Sequence, residues 1–270
     1  MTNKNATTLL SEKAVMVRFI SGLWSGIKVD RKLREELAKL ANANERSFHA
    51  SKYLVGRDCN KYFRSILDRF RRHHYYPLTV PWDDNSTNSD GSVRNGYRLC
   101  PTSKLTELQD AYNKAFLEFD VEVKGFLKNY PRLIVDAEQH LGTAFDIADY
   151  PPVEVLKNKF RFDFQLKQVE EIDSEKDVRL NVSKELKERL VRESQERIRK
   201  NVKTIGEETV ATLVEAVSHL ADKLKKYDPT DKQGSFFKNS SIDNVKQILS
   251  VLPSINDDIL GGDPKIHATH

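Results

Sequence analysis

The sequence predicts an α+β protein that is mainly α-helical, built of long antiparallel helices, a small antiparallel β element and a C-terminal helical region. Three observations carry that prediction. Apolar residues recur at three- and four-residue spacing over long stretches in both halves of the chain. Two-residue alternation is confined to two short segments, and a turn-rich stretch near residues 76–100 separates strand-like flanks. A charged content of 31% and a mean hydropathy of −0.59 fit helices with much exposed surface.

The elements follow in order. "AVMVRFI" alternates and places Val15, Val17 and Phe19 on one face of a strand, followed by a turn at "SGLWSG". Residues 31–44 form a helix with Asp30 as N-cap and Leu33, Leu37 and Leu40 along one side. The second helix, "RDCNKYFRSILDRFRRHHYY", gathers Tyr62, Phe63, Ile66, Leu67 and Phe70 in one arc and Arg57, Lys61, Arg64, Arg71 and Arg72 opposite. "YYPLTVPWDDNSTNSDGSVRNGYRLCP" reads as a β-hairpin with a disordered tip at Asn85 to Gly91.

Helical spacing runs from Leu105 to Leu127. Pro131 is placed to open another helix, which Gly142 closes, so consecutive antiparallel helices are expected. "DYPPVEVLKNKF" restarts a short helix. The stretch 160–169 alternates Phe160, Phe162, Phe164 and Leu166 with polar residues, a half-buried strand able to pair with the first strand or with the hairpin. Acidic "EEIDSEKD" reads as a linker between an N-terminal α+β domain, 1–172, and a C-terminal helical, coiled-coil-like region, 173–270. Within the latter, Ser183 to Tyr227 is one helix or two broken near Gly206, with a narrow seam of Leu186, Leu190, Ile198, Val202, Ile205, Val210, Val214, Val217, Leu220 and Leu224. A last helix runs from Ser241 and stops at Pro253.

The charge is unevenly spread. Residues 1–100 carry 18 Lys/Arg against 10 Asp/Glu, while the remainder carries 26 against 30. That asymmetry points the N-terminal region toward a polyanion or an acidic partner. Cys59 and Cys100 lie far apart and form no CxxC, which argues against a zinc site or a disulfide framework. With no apolar run of membrane-spanning length and no signal-peptide core, the expectation is a cytoplasmic protein without membrane association, in which the Asn-x-Ser/Thr triplets at Asn5, Asn85, Asn181 and Asn239 are incidental.

Catalytic chemistry finds little support. His73 and His74 are adjacent on a helix and so diverge by about 100°, which prevents both from facing one metal or substrate. No HExxH, phosphate-binding Gly-rich loop, GxSxG or GxGxxG is present. Asp83, Asp84 and Asp90 do not match a calcium-loop spacing, and Asp58 beside Cys59 disfavours its thiolate. The expectation is a non-enzymatic protein with no cofactor and no metal site.

The basic helix and hairpin have the parts of a nucleic-acid surface. Lys61, Arg64, Arg69, Arg71 and Arg72 are placed to neutralise phosphates, and Tyr76 and Trp82, with Tyr75, to stack on bases, while Tyr62, Phe63 and Phe70 belong to the core. A solvated basic helix, its arginines paired by the acidic half, is the competing structural reading. A second charged segment, "KELKERLVRESQERIRKNVK", pairs Glu185 with Arg189, Glu188 with Arg192 and Glu193 with Arg197, which describes a self-neutralising exposed helix whose seam binds a second copy or another protein.

Taken in order, "LWSGIKVD", "HHYYPLTVPWDD", "NYPRLIVDAEQHLGTAFDIADYPP", "KFRFDFQLKQVE" and "SSIDNVKQILSVLPSIND" resemble a family of tailed-bacteriophage and prophage proteins, itself distantly similar to plasmid proteins encoded beside MoxR-type AAA+ ATPases and von Willebrand-type partners. The resemblance covers most of the chain and rests on turns, hairpin and helix starts. It implies a phage protein in host cytoplasm, acting in DNA metabolism or as an adaptor to an ATPase, and carries no catalytic residue onto positions here. "NSTNSDGSVRNG" is longer than that family's hairpin tip. The expected function is therefore binding of nucleic acid, single-stranded DNA foremost, in DNA replication or recombination. The alternative is a helical adaptor or homo-oligomer that recruits a partner such as an AAA+ ATPase.

Overall fold

The computed structural model describes residues 6–82, 96–169, 184–225 and 240–262. Its described residues are mainly helical, as the apolar periodicity predicts, with one four-stranded sheet and one two-stranded antiparallel sheet. The expected hairpin tip, the acidic linker with the boundary at 172/173, and the polar stretch after residue 227 lie outside the described residues. The chain divides into two compact units, the first made of 1–19, 72–110 and 164–270, the second of 20–71 and 111–163.

In the first unit, β1 (Ala14–Gly22), β4 (Val80–Pro81) and β5 (Arg98–Pro101) belong to a sheet of order β4-β5-β1-β6, where β6 is Arg161–Gln168. Val80 stands opposite Leu99, and Val15 opposite Cys100. The strand β6 therefore takes its place beside β1 rather than beside the hairpin. Ala14, Met16, Val17 and Phe19 are buried while Val15 is only half-buried, so both faces of β1 are covered and the simple alternation fails. A helix precedes it: α1 (Ala6–Lys13), which the polar look of the N-terminus concealed, packs against α6 (Lys184–Lys225) and the turn at Asn256–Leu260, with Leu10 buried.

Helix α6 is continuous through Gly206, where an added Cβ would meet Leu260 at ordinary van der Waals distance, so the glycine neither breaks the helix nor is required by its neighbour. The seam is only partly used: Ile198 and Ile205 are buried, whereas Val210, Val214, Val217 and Leu224 are exposed, and Leu213, outside the seam, is buried in its place. Of the i, i+4 pairs in this segment, Arg189 pairs with Glu193 rather than with Glu185, and Lys203 with Glu207. Helix α7 (Ser240–Ile255) packs on α6 through Leu252, and it runs through Pro253 instead of stopping there.

The second unit is an aromatic core around α3 (Lys61–Phe70) and the 111–141 part of α4 (Thr102–Leu141). Phe63 lies 5.0 Å from Phe160, Phe119 5.2 Å from Phe162, and Trp24 meets Tyr130 edge-on at 5.7 Å. Pro131 does not begin a new helix. It is enclosed in α4, one 40-residue helix, because Phe126 and Tyr130 just before it are anchored to Trp24 and the Tyr130 hydroxyl donates to the Pro151 carbonyl at 3.2 Å. The expected pair of antiparallel helices is thus absent at this point.

Helix α2 (Arg31–Leu40) starts where expected: the Leu33 N–H donates to the Asp30 carboxylate at 3.0 Å. Its apolar side is not covered, for Leu33, Leu37 and Leu40 are all exposed and only Ala38 is buried. The strands β2 (Ile27–Val29) and β3 (Ser51–Tyr53) form the small second sheet, too short to show as alternation. After α5 (Val153–Lys157), Phe160 and Phe162 are buried and Leu166 is exposed, so β6 keeps the predicted inward face only over its first half.

Candidate functional site

Helix α3 positions the basic residues by burying the arc opposite them. Phe63, Ile66, Leu67 and Phe70 are all buried, and at 100° per residue this leaves Lys61, Arg64, Ser65, Asp68 and Arg69 pointing outward. The helix has no side-chain N-cap. Asn60, at the cap position, instead sends its amide to the Trp24 carbonyl at 2.6 Å, which ties the start of α3 to the chain after β1.

Tyr62 corrects the sequence reading, which put it in the core: it is 71% exposed. It sits 100° from Phe63 at the edge of the buried arc, and a hydroxyl-bearing ring at an edge turns outward where water satisfies its polar end. Exposed tyrosine is thereby placed on the same side of the helix as Lys61 and Arg69.

The predicted residues divide between the units: Lys61, Arg64, Arg69 and Arg71 in the second, Arg72, Tyr76 and Trp82 in the first. Among the described residues Lys61, Arg64 and Arg72 meet no carboxylate at ion-pair distance. Arg69 is engaged by the Glu118 carboxylate of α4, with both side chains about half exposed. Arg71 is half-buried and donates to the Ser21 hydroxyl, so it is committed to structure rather than to the outer face. Tyr76 is partly exposed, with the Arg98 guanidinium 5.2 Å from its ring centroid, and the Trp82 carbonyl accepts from the Asn201 amide at 3.0 Å.

Burial pushes the Cys59 thiol up, partly opposed by the Arg64 guanidinium, and Asp58 adds to the rise. Cys100, fully buried, is pushed up to about 12 by burial, so neither is a ready thiolate. Among the described residues no group of three or more His, Cys, Asp or Glu side chains converges as metal ligands, and no helix is long and apolar enough to cross a membrane.

Comparison with family models, with curated proteins and with solved structures returns no match.

One residue escaped the sequence reading altogether. Arg98, on β5, is 7% exposed, and it had no signal beyond standing in a strand of mixed polarity.

Proposed function

We propose that this protein binds nucleic acid, single-stranded DNA foremost, through the outward face of α3, as an accessory protein of phage type in DNA replication or recombination. The observation that carries the reading is the exposed ring of Tyr62 beside Arg69 on one flank of a rigidly anchored helix, with Lys61 at the middle of the outward face and Arg64 on its other flank. Cations spaced along a helix neutralise successive phosphates, and a free aromatic face stacks on an unpaired base whatever its identity. The pair Arg69–Glu118 does not remove the arginine, since both groups remain half exposed and a phosphate can replace the carboxylate. Arg71 drops out, and Arg72, Tyr76 and Trp82 are not needed for the α3 face.

Fluorescence anisotropy of a labelled single-stranded oligonucleotide at two salt concentrations tests this. Three phosphate contacts give a log–log salt slope of about −2. Replacing Lys61, Arg64 and Arg69 together by Gln flattens that slope, and Tyr62→Ala weakens binding by about 1–3 kcal/mol. No measurable binding at low salt, or a triple variant that binds like the native protein, ends the proposal.

A second reading is favoured by a separate observation, the exposed Val210, Val214, Val217 and Leu224 of α6. Residues 210, 217 and 224 are seven apart, the spacing by which a helix meets another helix. In this reading the protein is a helical adaptor or homo-oligomer, and the valine stripe takes a second copy or a helix of a partner such as an AAA+ ATPase. Mass in solution over a wide concentration range decides self-association: a monomer throughout removes the second copy.

A further inference from the structure

Arg98 is a buried guanidinium that, among the described residues, has no carboxylate at ion-pair distance. Its Nε donates to the Thr79 hydroxyl at 2.6 Å and its Nη2 to the Thr79 carbonyl at 2.7 Å, while the rings of Tyr75 and Tyr76 lie 5.8 and 5.2 Å from its central carbon. These are neutral partners. Among the described residues no carboxylate reaches ion-pair distance, and Glu208 acts on it only from further away. Burying a cation against neutral groups is costly, and such a cation is ordinarily found paired.

Arg98 also lines a cavity of about 860 Å³ within the first unit, the size of a small-molecule site. Its apolar wall includes Ile205 of α6 and Val251, Leu252 and Ile255 of α7. The two bonds to Thr79 use two of the five guanidinium N–H groups. The other three lie on Nη1 and Nη2, the edge that accepts a carboxylate through two parallel hydrogen bonds.

We propose that this cavity binds a small carboxylate with an apolar body, its carboxylate on Arg98 and its chain along the α6–α7 wall. The charge of the lining selects one negative charge over two: Glu208, Glu215 and Asp222 share the cavity with Arg98 and Arg72, so a dianion such as phosphate meets more repulsion than a monocarboxylate. The site is independent of the α3 face and stands or falls separately from it.

Octanoate, octanol and inorganic phosphate are the probes, each added at millimolar concentration to the full chain while its thermal unfolding is followed. Octanoate raises the midpoint; octanol of equal chain length and phosphate leave it within error. Arg98→Met, which keeps the length and removes the charge, folds and loses the octanoate response, with apparent affinity reduced at least tenfold. An equal response to octanol reduces the site to an apolar hollow and overturns the proposal, as does an octanoate response retained in Arg98→Met. The octanoate and octanol contrast in the native protein decides the matter even if the variant fails to fold.

Discussion

The Asn60 side-chain amide donates to the Trp24 main-chain carbonyl at 2.6 Å from a position where asparagine would ordinarily cap the following helix. Both residues are buried, so the bond replaces water that this carbonyl cannot reach. Asn60→Ala is expected to cost about 1–3 kcal/mol, and Asn60→Asp more, because a carboxylate presents only acceptors to a carbonyl oxygen. Urea denaturation of the three proteins checks the order. Equal stability of all three would show that the contact carries no energy.

The partner of Arg69 offers a test specific to the nucleic-acid reading. Glu118→Gln frees the guanidinium and removes a negative charge beside the α3 face. Oligonucleotide affinity should rise several-fold at low salt, while stability changes by less than about 1 kcal/mol, as for other exposed pairs. An unchanged or lower affinity places the nucleic acid elsewhere.

Pro131 is exposed inside α4, where its ring interrupts the hydrogen bond to the preceding turn. Pro131→Ala should therefore stabilise the protein by about 2–3 kcal/mol. Were residue 131 the first of a separate helix, the same change would be close to neutral. Thermal and chemical denaturation read the difference directly.

Asp149 gives a pH signature in the second unit. Burial pushes its carboxyl up, but hydrogen bonds from Lys52 at 2.8 Å and Lys28 at 2.9 Å outweigh burial and hold it below its ordinary value of 3.8. A lowered folded-state value means the ion pairs stabilise fully above that ordinary value, and the contribution fades as pH falls through the lowered one. Asp149→Asn should lose about 1–2 kcal/mol at neutral pH and converge on the native protein in acid. A difference that persists unchanged into acid contradicts the assignment.

Much of this fold was legible because local pattern and burial agree. Phe63, Ile66, Leu67 and Phe70 recur with the helical period and are all buried; Asp30 caps the helix it precedes. The disagreements have a common origin in neighbours far along the chain. Pro131 is enclosed because aromatic rings at 126 and 130 are held by Trp24. Leu33, Leu37 and Leu40 obey the helical period yet remain uncovered, since a period states which residues share a side and not what lies against it.

By itself the sequence determined the mainly helical class, most of the longer helices and the arc of α3 on which the cations stand, all properties set by spacings of a few residues. The tertiary structure alone decided which cations are engaged, that half the α6 seam is left open, and that Arg98 is sunk beside a cavity. Those outcomes depend on groups brought together from distant parts of the chain: Thr79 and Arg98 are 19 residues apart, Arg69 and Glu118 49. Burial and charge pairing are properties of such encounters, and no local pattern contains them.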